Sequence, residues 1–217
     1  NEVKSYEEYD DWKPENYDHS NGGYYSMPGA LAKSMNIPTI ETYLNVGAKK
    51  VQETVRSLGL KKELKDLPST ALGATNYSLQ NLVHAYIPFA TRHSGVSPYF
   101  ISSIKDSNGN TIYQHQKNSN IEEPPLSSET LETMQYLLKG VVEQGTARKL
   151  KSTHQAKGDW AGKTGTSQDY GDAWFLAYTD DLVLATRVGA SYPVIHFNSG
   201  ANGSGSALAL PIVGKTL

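Results

Sequence analysis

Cysteine is absent from these 217 residues. That excludes thiol catalysis and disulfides, and it is compatible with an oxidising exterior without pointing to one. Long apolar runs are also lacking. None approaches transmembrane length and no signal peptide is present, so any anchor of a parent protein is expected outside this stretch. Charge of one sign is missing too: 20 Lys and Arg against 22 Asp and Glu leave a formal net charge of −2. This gives no electrostatic case for nucleic acid or an anionic membrane surface. The histidines (His19, His84, His93, His115, His154 and His196) are scattered without metal-ligand spacing, and no metal site is expected. The length is enough to bury a real core, in one large domain or two small ones.

What the chain does have is Ala161-Gly162-Lys163-Thr164-Gly165-Thr166-Ser167. Lys163 can hold a carboxylate as a point charge, Thr166 can donate a hydroxyl to it, and Gly165 lets another backbone approach. Such a run suits a strand edge that grips an anionic peptide. A phosphate-binding loop is the first rival, carried by Gly158 to Thr164. That motif needs four residues between its glycines, and three stand between Gly158 and Gly162. It also needs a helix directly after the Lys-Thr pair. Here a turn-like stretch, Ser167 to Asp172, leads into the strand-forming Ala173-Trp174-Phe175-Leu176-Ala177-Tyr178.

Upstream, Ser34-Met35-Asn36 places two polar side chains at the end of a short helix that Ser26 can cap, with Pro28 in its first turn. Pro38 is expected to push Ile37 out of the helical region and turn the chain there. A triplet at such a corner can aim both side chains into a cleft, although an isolated S-x-N triplet is a common cap or turn.

Taken together, Ser34-Met35-Asn36 and Lys163-Thr164-Gly165-Thr166 resemble the second and third motifs of the penicillin-binding transpeptidases, whose set is S-x-x-K, S-x-N and K-T-G. Trp12-Lys13-Pro14-Glu15-Asn16-Tyr17 resembles the lead-in to the S-x-N helix of bifunctional, class A members. Pro68 to Gly73, Ala85-Tyr86 with Phe89-Ala90, Gly145-Thr146-Ala147 and Asp172-Ala173-Trp174-Phe175 are similar as well, in the same order. The resemblance covers nearly the whole chain.

One departure stands out. The first motif, which carries the nucleophilic serine and its activating lysine, does not occur between Asn1 and Lys33. The one S-x-x-K match, Ser102-Ser103-Ile104-Lys105, lies in a β-prone run. On a strand, residues three apart point to opposite faces, so this match reads as a decoy. The chain is expected to be a partial transpeptidase domain, residues 1–217, whose nucleophile segment lies before Asn1.

The remaining pattern predicts helices over 39–45, 48–58 (closed by Gly59) and 77–90, and a long helix capped by Ser128 with Leu131, Met134, Leu138 and Val141 on one face. Tyr99 to Ile104 and Asn110 to His115 read as a hairpin around Asn108-Gly109. Trp160 to Ser167, Ala173 to Tyr178 and Leu182 to Val188 read as adjacent antiparallel strands. Gly200 to Gly205 reads as a turn between terminal strands. The tyrosines of residues 1–26 suit an ordered loop over a cleft, with structural packing favoured over a sugar platform. Asp169 and Asp172 read as loop and strand-capping residues, and Arg148 and Lys151 as a solvated helix end. The fold class expected is α+β: an antiparallel sheet flanked by helices, similar to serine β-lactamases and transpeptidases and incomplete at its N-terminus.

The resemblance implies peptidoglycan D,D-transpeptidation by serine acyl transfer on stem peptides ending in D-Ala-D-Ala, with penicillins and other β-lactams as mimics. It implies that Lys163 and Thr166 hold the terminal carboxylate, that Thr164 supports them, and that the Thr166 N–H is half of the oxyanion hole. Ser34 would relay a proton and Asn36 would bind the substrate amide carbonyl. No metal or organic cofactor is implied. The parent would act at the extracytoplasmic face of a bacterial membrane, would also polymerise glycan through a separate domain, and could meet other cell-wall synthesis proteins. A non-enzymatic sensor or scaffold and a serine β-lactamase are the alternatives.

Overall fold

The computed structural model describes residues 1–93, 98–116, 124–192 and 194–217. After an irregular, ordered N-terminal segment come α1 (Met27–Lys33), α2 (Asn36–Val46) and α3 (Ala48–Ser57). A short 3-10 turn at Pro68–Leu72 leads to α4 (Leu79–Thr91). The hairpin β1 (Ser103–Lys105) and β2 (Thr111–Gln114) precedes α5 (Ser128–Glu143) and α6 (Lys149–Ser152). Next are β3 (Ala161–Thr166), β4 (Asp172–Tyr178) and β5 (Val183–Gly189), and the chain closes with α7 (Gly200–Gly203) and α8 (Ala209–Thr216). This is the expected α+β class.

The three later strands form one antiparallel sheet in the order β3-β4-β5. Thr164 stands opposite Phe175 and Phe175 opposite Thr186; Gly165 faces Trp174, which faces Arg187. Residues opposite one another share a face, so the sheet separates two apolar clusters. In one, Ala173, Phe175 and Ala177 meet Val141 and Val142 of α5 and Leu210 and Val213 of α8. In the other, Ala161 and Tyr178 meet Phe89 of α4 and Leu131 and Leu138 of α5. Burying large apolar side chains such as Phe175 and Leu210, both fully inaccessible, stabilises the fold by roughly 1.5–3 kcal/mol for each side chain of this size.

Several sequence expectations change. Pro38 does not end a helix: Ile37 and Pro38 lie in the first turn of α2, where a missing N–H costs nothing because those donors have no helical acceptor. The chain turns earlier, at Ser34 and Met35. The cap of α5 is Ser127, whose Oγ accepts the Thr130 N–H at 3.2 Å, and not Ser128. The hairpin is shorter than read. Its loop is organised by Asp106, whose Oδ1 accepts the N–H groups of Asn108 and Asn110. The largest change is at the C-terminus, where helices replace the expected strands. Ala209, Leu210, Val213 and Gly214 are buried at helical spacing, and Gly200 to Gly205 serves close packing and not a hairpin turn.

Candidate active site between the S-x-N corner and the edge strand

α1 is capped as the sequence predicts, with Ser26 Oγ accepting the Gly29 N–H at 3.3 Å. It ends at Ser34, whose N–H returns to the carbonyls of Ala30 and Leu31 while its own backbone is left-handed, φ 56 and ψ 47. Glycine usually fills such a position, because a side chain there costs about 1–2 kcal/mol. Ser34 carries that strain, and in return its hydroxyl points across the gap to β3. Lys163 Nζ donates to Ser34 Oγ at 2.6 Å and to the Thr164 carbonyl at 2.8 Å. Burial is the cause that lowers the Lys163 pKa from the usual lysine value to about 8. The ammonium is therefore still the main form at neutral pH, but its proton is lost far more easily than that of a surface lysine.

β3 is at one edge of its sheet. The Ser167 N–H bonds the Asp172 carbonyl at 2.9 Å, so Ser167 turns its backbone toward β4. By the two-residue alternation of an antiparallel ladder, Gly165 and Lys163 do the same, and the backbone groups of Thr164 and Thr166 face the open edge. The Thr166 N–H is thus offered on the side where an added strand would lie.

Thr164, one of two buried polar residues among those described, shares a hydrogen bond of 2.6 Å between its Oγ1 and Thr146 Oγ1. The Thr146 N–H donates in turn to the Ala32 carbonyl at 3.0 Å. Thr146 therefore ties the helix that ends at Ser34 to the strand that carries Lys163. Its neighbour must be small: a Cβ on Gly145 would overlap the Ala32 carbonyl. Thr166 Oγ1 accepts the Gly205 N–H at 3.1 Å and keeps its own proton for donation. A separate close approach, within the chain, is made possible by Gly205, whose Cβ would strike the carbonyls of Trp174 and Gly165. At Gly165 itself a Cβ would sit 3.3 Å from Trp174 Cβ, a tight fit.

Asn36 is the first residue of α2, and its Nδ2 donates to the Glu15 carbonyl at 2.7 Å. One of its two amide protons is committed to holding the corner. Asn16, the other buried polar residue, accepts the Ile37 N–H on Oδ1 at 3.2 Å. In the sequence, Glu15, Asn16 and Thr146 carry only a resemblance; their work is visible from their bonds. The readable signal was that Met35, at the N-cap of α2, has no side-chain oxygen.

The residues read as non-functional make other contacts or none. Ser102 and Lys105 are exposed on the hairpin, where the Ser102 carbonyl accepts the His115 N–H at 2.8 Å. Asp172 pairs with Arg187, which lies 5.8 Å from the Trp174 ring, and Asp169 occupies a left-handed turn position. The Tyr6 hydroxyl donates to Glu41 at 3.0 Å, a structural role, whereas Tyr24 is fully exposed. No described group of His, Asp and Glu could hold a metal ion, and no described helix is long and apolar enough to cross a membrane.

Residues 1–189 match the model of the penicillin binding protein transpeptidase domain. The chain is 34% identical over 203 residues to penicillin-binding protein 1A of Aquifex aeolicus, and 30% identical over 221 residues to that of Rickettsia bellii. These alignments cover 94% and 93% of the chain but only 27% of each relative. The fold is similar to that of crystalline penicillin-binding protein 1A from Haemophilus influenzae, with TM-score 0.79, 21% identity, and coverage of 95% of this chain and 36% of that one. It is also similar to penicillin-binding protein A from M. tuberculosis, solved as an imipenem acyl-enzyme complex, with TM-score 0.66, 19% identity, and coverage of 95% and 52%. With a family model matching most of its length, and the S-x-N and K-T-G segments facing each other across one cleft, the chain belongs to the penicillin-binding protein transpeptidase family.

Proposed function

We propose that this chain supplies two walls of a peptidoglycan D,D-transpeptidase site that also takes β-lactams. The observation that carries the reading is the 2.6 Å hydrogen bond from Lys163 to Ser34 beside an open strand edge. It joins the two motifs into one polar cleft.

A stem peptide ending in D-Ala-D-Ala lies antiparallel to β3, as an added strand. Lys163 and the Thr166 hydroxyl hold its terminal carboxylate, and Thr164, fixed by Thr146, keeps the strand in place. Asn36 gives its remaining amide proton to a carbonyl of the peptide. The reacting serine belongs to an S-x-x-K segment outside residues 1–217. Its oxygen attacks the penultimate carbonyl, the scissile C–N bond breaks, and the oxyanion is held by the Thr166 N–H and the serine's own N–H. Ser34 passes a proton toward the departing D-alanine nitrogen, with the nearby Lys163 keeping its hydroxyl polarised. An amine of a second stem peptide then takes the acyl group, which forms the cross-link and releases the serine. The imipenem acyl-enzyme of the M. tuberculosis protein supports β-lactam binding by the same fold. Such a substrate places the site at the extracytoplasmic face of a bacterial membrane. The length of the relatives beyond the aligned 27% leaves room for a glycan-polymerising domain.

Intact mass after penicillin treatment tests the reading, on the full-length protein and on residues 1–217. We expect one stable adduct on the full-length protein, at a serine outside 1–217. An adduct at Ser102 would overturn the assignment of the nucleophile. A folded full-length protein with no adduct would overturn the reading itself.

A further inference from the structure

The first turn of α2 has an unusual supply of partners. Its N-cap, Met35, offers no oxygen, and Pro38 brings no N–H. The Ile37 N–H is left needing an acceptor in a place where Ile37 itself is 1% exposed. Asn16, 21 residues earlier and 3% exposed, provides it through Oδ1. The same side chain is fully engaged at its other end: Nδ2 donates to Asn1 Oδ1 at 2.6 Å and to the Ser20 carbonyl at 2.8 Å. The residue before it contributes its carbonyl to Asn36. Glu15 and Asn16 thus grip two consecutive residues of the corner, Asn36 and Ile37, one residue beyond left-handed Ser34.

We propose that Asn16 is a positioning residue for the site: as a remote cap on Ile37 it fixes the start of α2, and so holds Ser34 within hydrogen-bond reach of Lys163. The proposal rests on the transpeptidase reading above. Asn16 touches neither substrate nor reacting atoms; it acts through Ser34 and Asn36. Two parts of one amide do separable work. The Oδ1 acceptor sets the corner, and the Nδ2 donors fasten residues 1–20 to it.

Two substitutions in the full-length protein separate these roles. Asn16→Ala removes both. Asn16→Asp keeps an oxygen for Ile37 and loses the donations to Asn1 and Ser20. Without the cap the corner samples arrangements in which Ser34 lies out of reach of Lys163, so the penicillin acylation rate of Asn16→Ala should fall about tenfold, measured well below its melting temperature. Asn16→Asp should melt lower than the wild type yet acylate at nearly the wild-type rate. A 15N-resolved titration of Lys163 reads the corner without any drug: in Asn16→Ala its pKa should rise from about 8 toward the ordinary lysine value as water reaches the ammonium. Wild-type acylation and wild-type Lys163 titration in Asn16→Ala would overturn the proposal. If Asn16→Ala does not fold, a folded Asn16→Asp with a collapsed rate overturns it instead. A wild type that forms no penicillin adduct refutes the transpeptidase reading alone, and the Lys163 titration still decides the role of Asn16.

Discussion

Lys163 Nζ and Ser34 Oγ lie 2.6 Å apart although 129 positions separate them in the chain. The lysine is buried enough for its pKa to fall to about 8, so this contact joins a polarised hydroxyl to a cation that releases its proton readily. Replacing Lys163 with Met keeps much of the volume and removes the charge. Penicillin acylation of the full-length protein should fall by about 10²-fold or more, the usual cost of losing one preorganised electrostatic group. Stopped-flow acylation kinetics check this.

The same burial has a pH signature in stability. The folded pKa of Lys163, about 8, is below the ordinary lysine value of 10.5, so between these values the unfolded chain binds more protons than the folded one. Stability contributed by this group therefore rises with pH across that window, by roughly 3 kcal/mol in total, and is flat below it. Urea unfolding of the wild type and of Lys163→Met at several pH values should show a difference with this slope. A difference that falls or stays flat from pH 8 to 10.5 contradicts the buried cation.

Buried Thr164 and half-buried Thr146 share one hydrogen bond. Thr146→Val leaves Thr164 Oγ1 without its partner and should cost about 1–3 kcal/mol. The double variant Thr146→Val, Thr164→Val should recover part of that loss, because neither hydroxyl is then stranded. A denaturation double-mutant cycle measures the coupling.

Two glycines close in sequence should respond in opposite directions to alanine. Gly145→Ala drives a Cβ into the Ala32 carbonyl and should separate α1 from α5, with a loss of about 1–3 kcal/mol or more. Gly140, inside α5, has only Gln144 Nε2 at 3.9 Å, so Gly140→Ala should stabilise by about 0.5–1 kcal/mol. Thermal melts of both variants decide it.

Ser102→Ala should leave penicillin acylation unchanged. The residue is exposed on a two-stranded hairpin, away from the Ser34–Lys163 contact. Adduct mapping by peptide mass spectrometry provides the check.

Much of this organisation was legible in advance. Lys163 to Thr166 stood out by side-chain chemistry alone, and the turn after it, followed by Ala173 to Tyr178, fixed an antiparallel pair. Ser26 as a cap and α5 with its apolar stripe were equally readable, because caps and periodicity are local signals. The departures share one cause. Pro38, Gly200 and Gly205 are residue types that make turns when only their near neighbours matter. In the folded chain Pro38 uses a vacancy in the first turn of α2, and Gly205 makes room for the backbone of β3 and β4. Neither fact is encoded near those residues.

The sequence by itself determined the residue types, their order and the family. Only the tertiary structure decided that Ser34 meets Lys163, that Thr146 couples the two walls, and that Asn16 stands in for the cap Met35 cannot provide. These are contacts between segments distant in the chain, set by how helices and sheet bury their apolar faces. A hydrogen bond of that kind forms wherever packing brings donor and acceptor together, and no local pattern announces it.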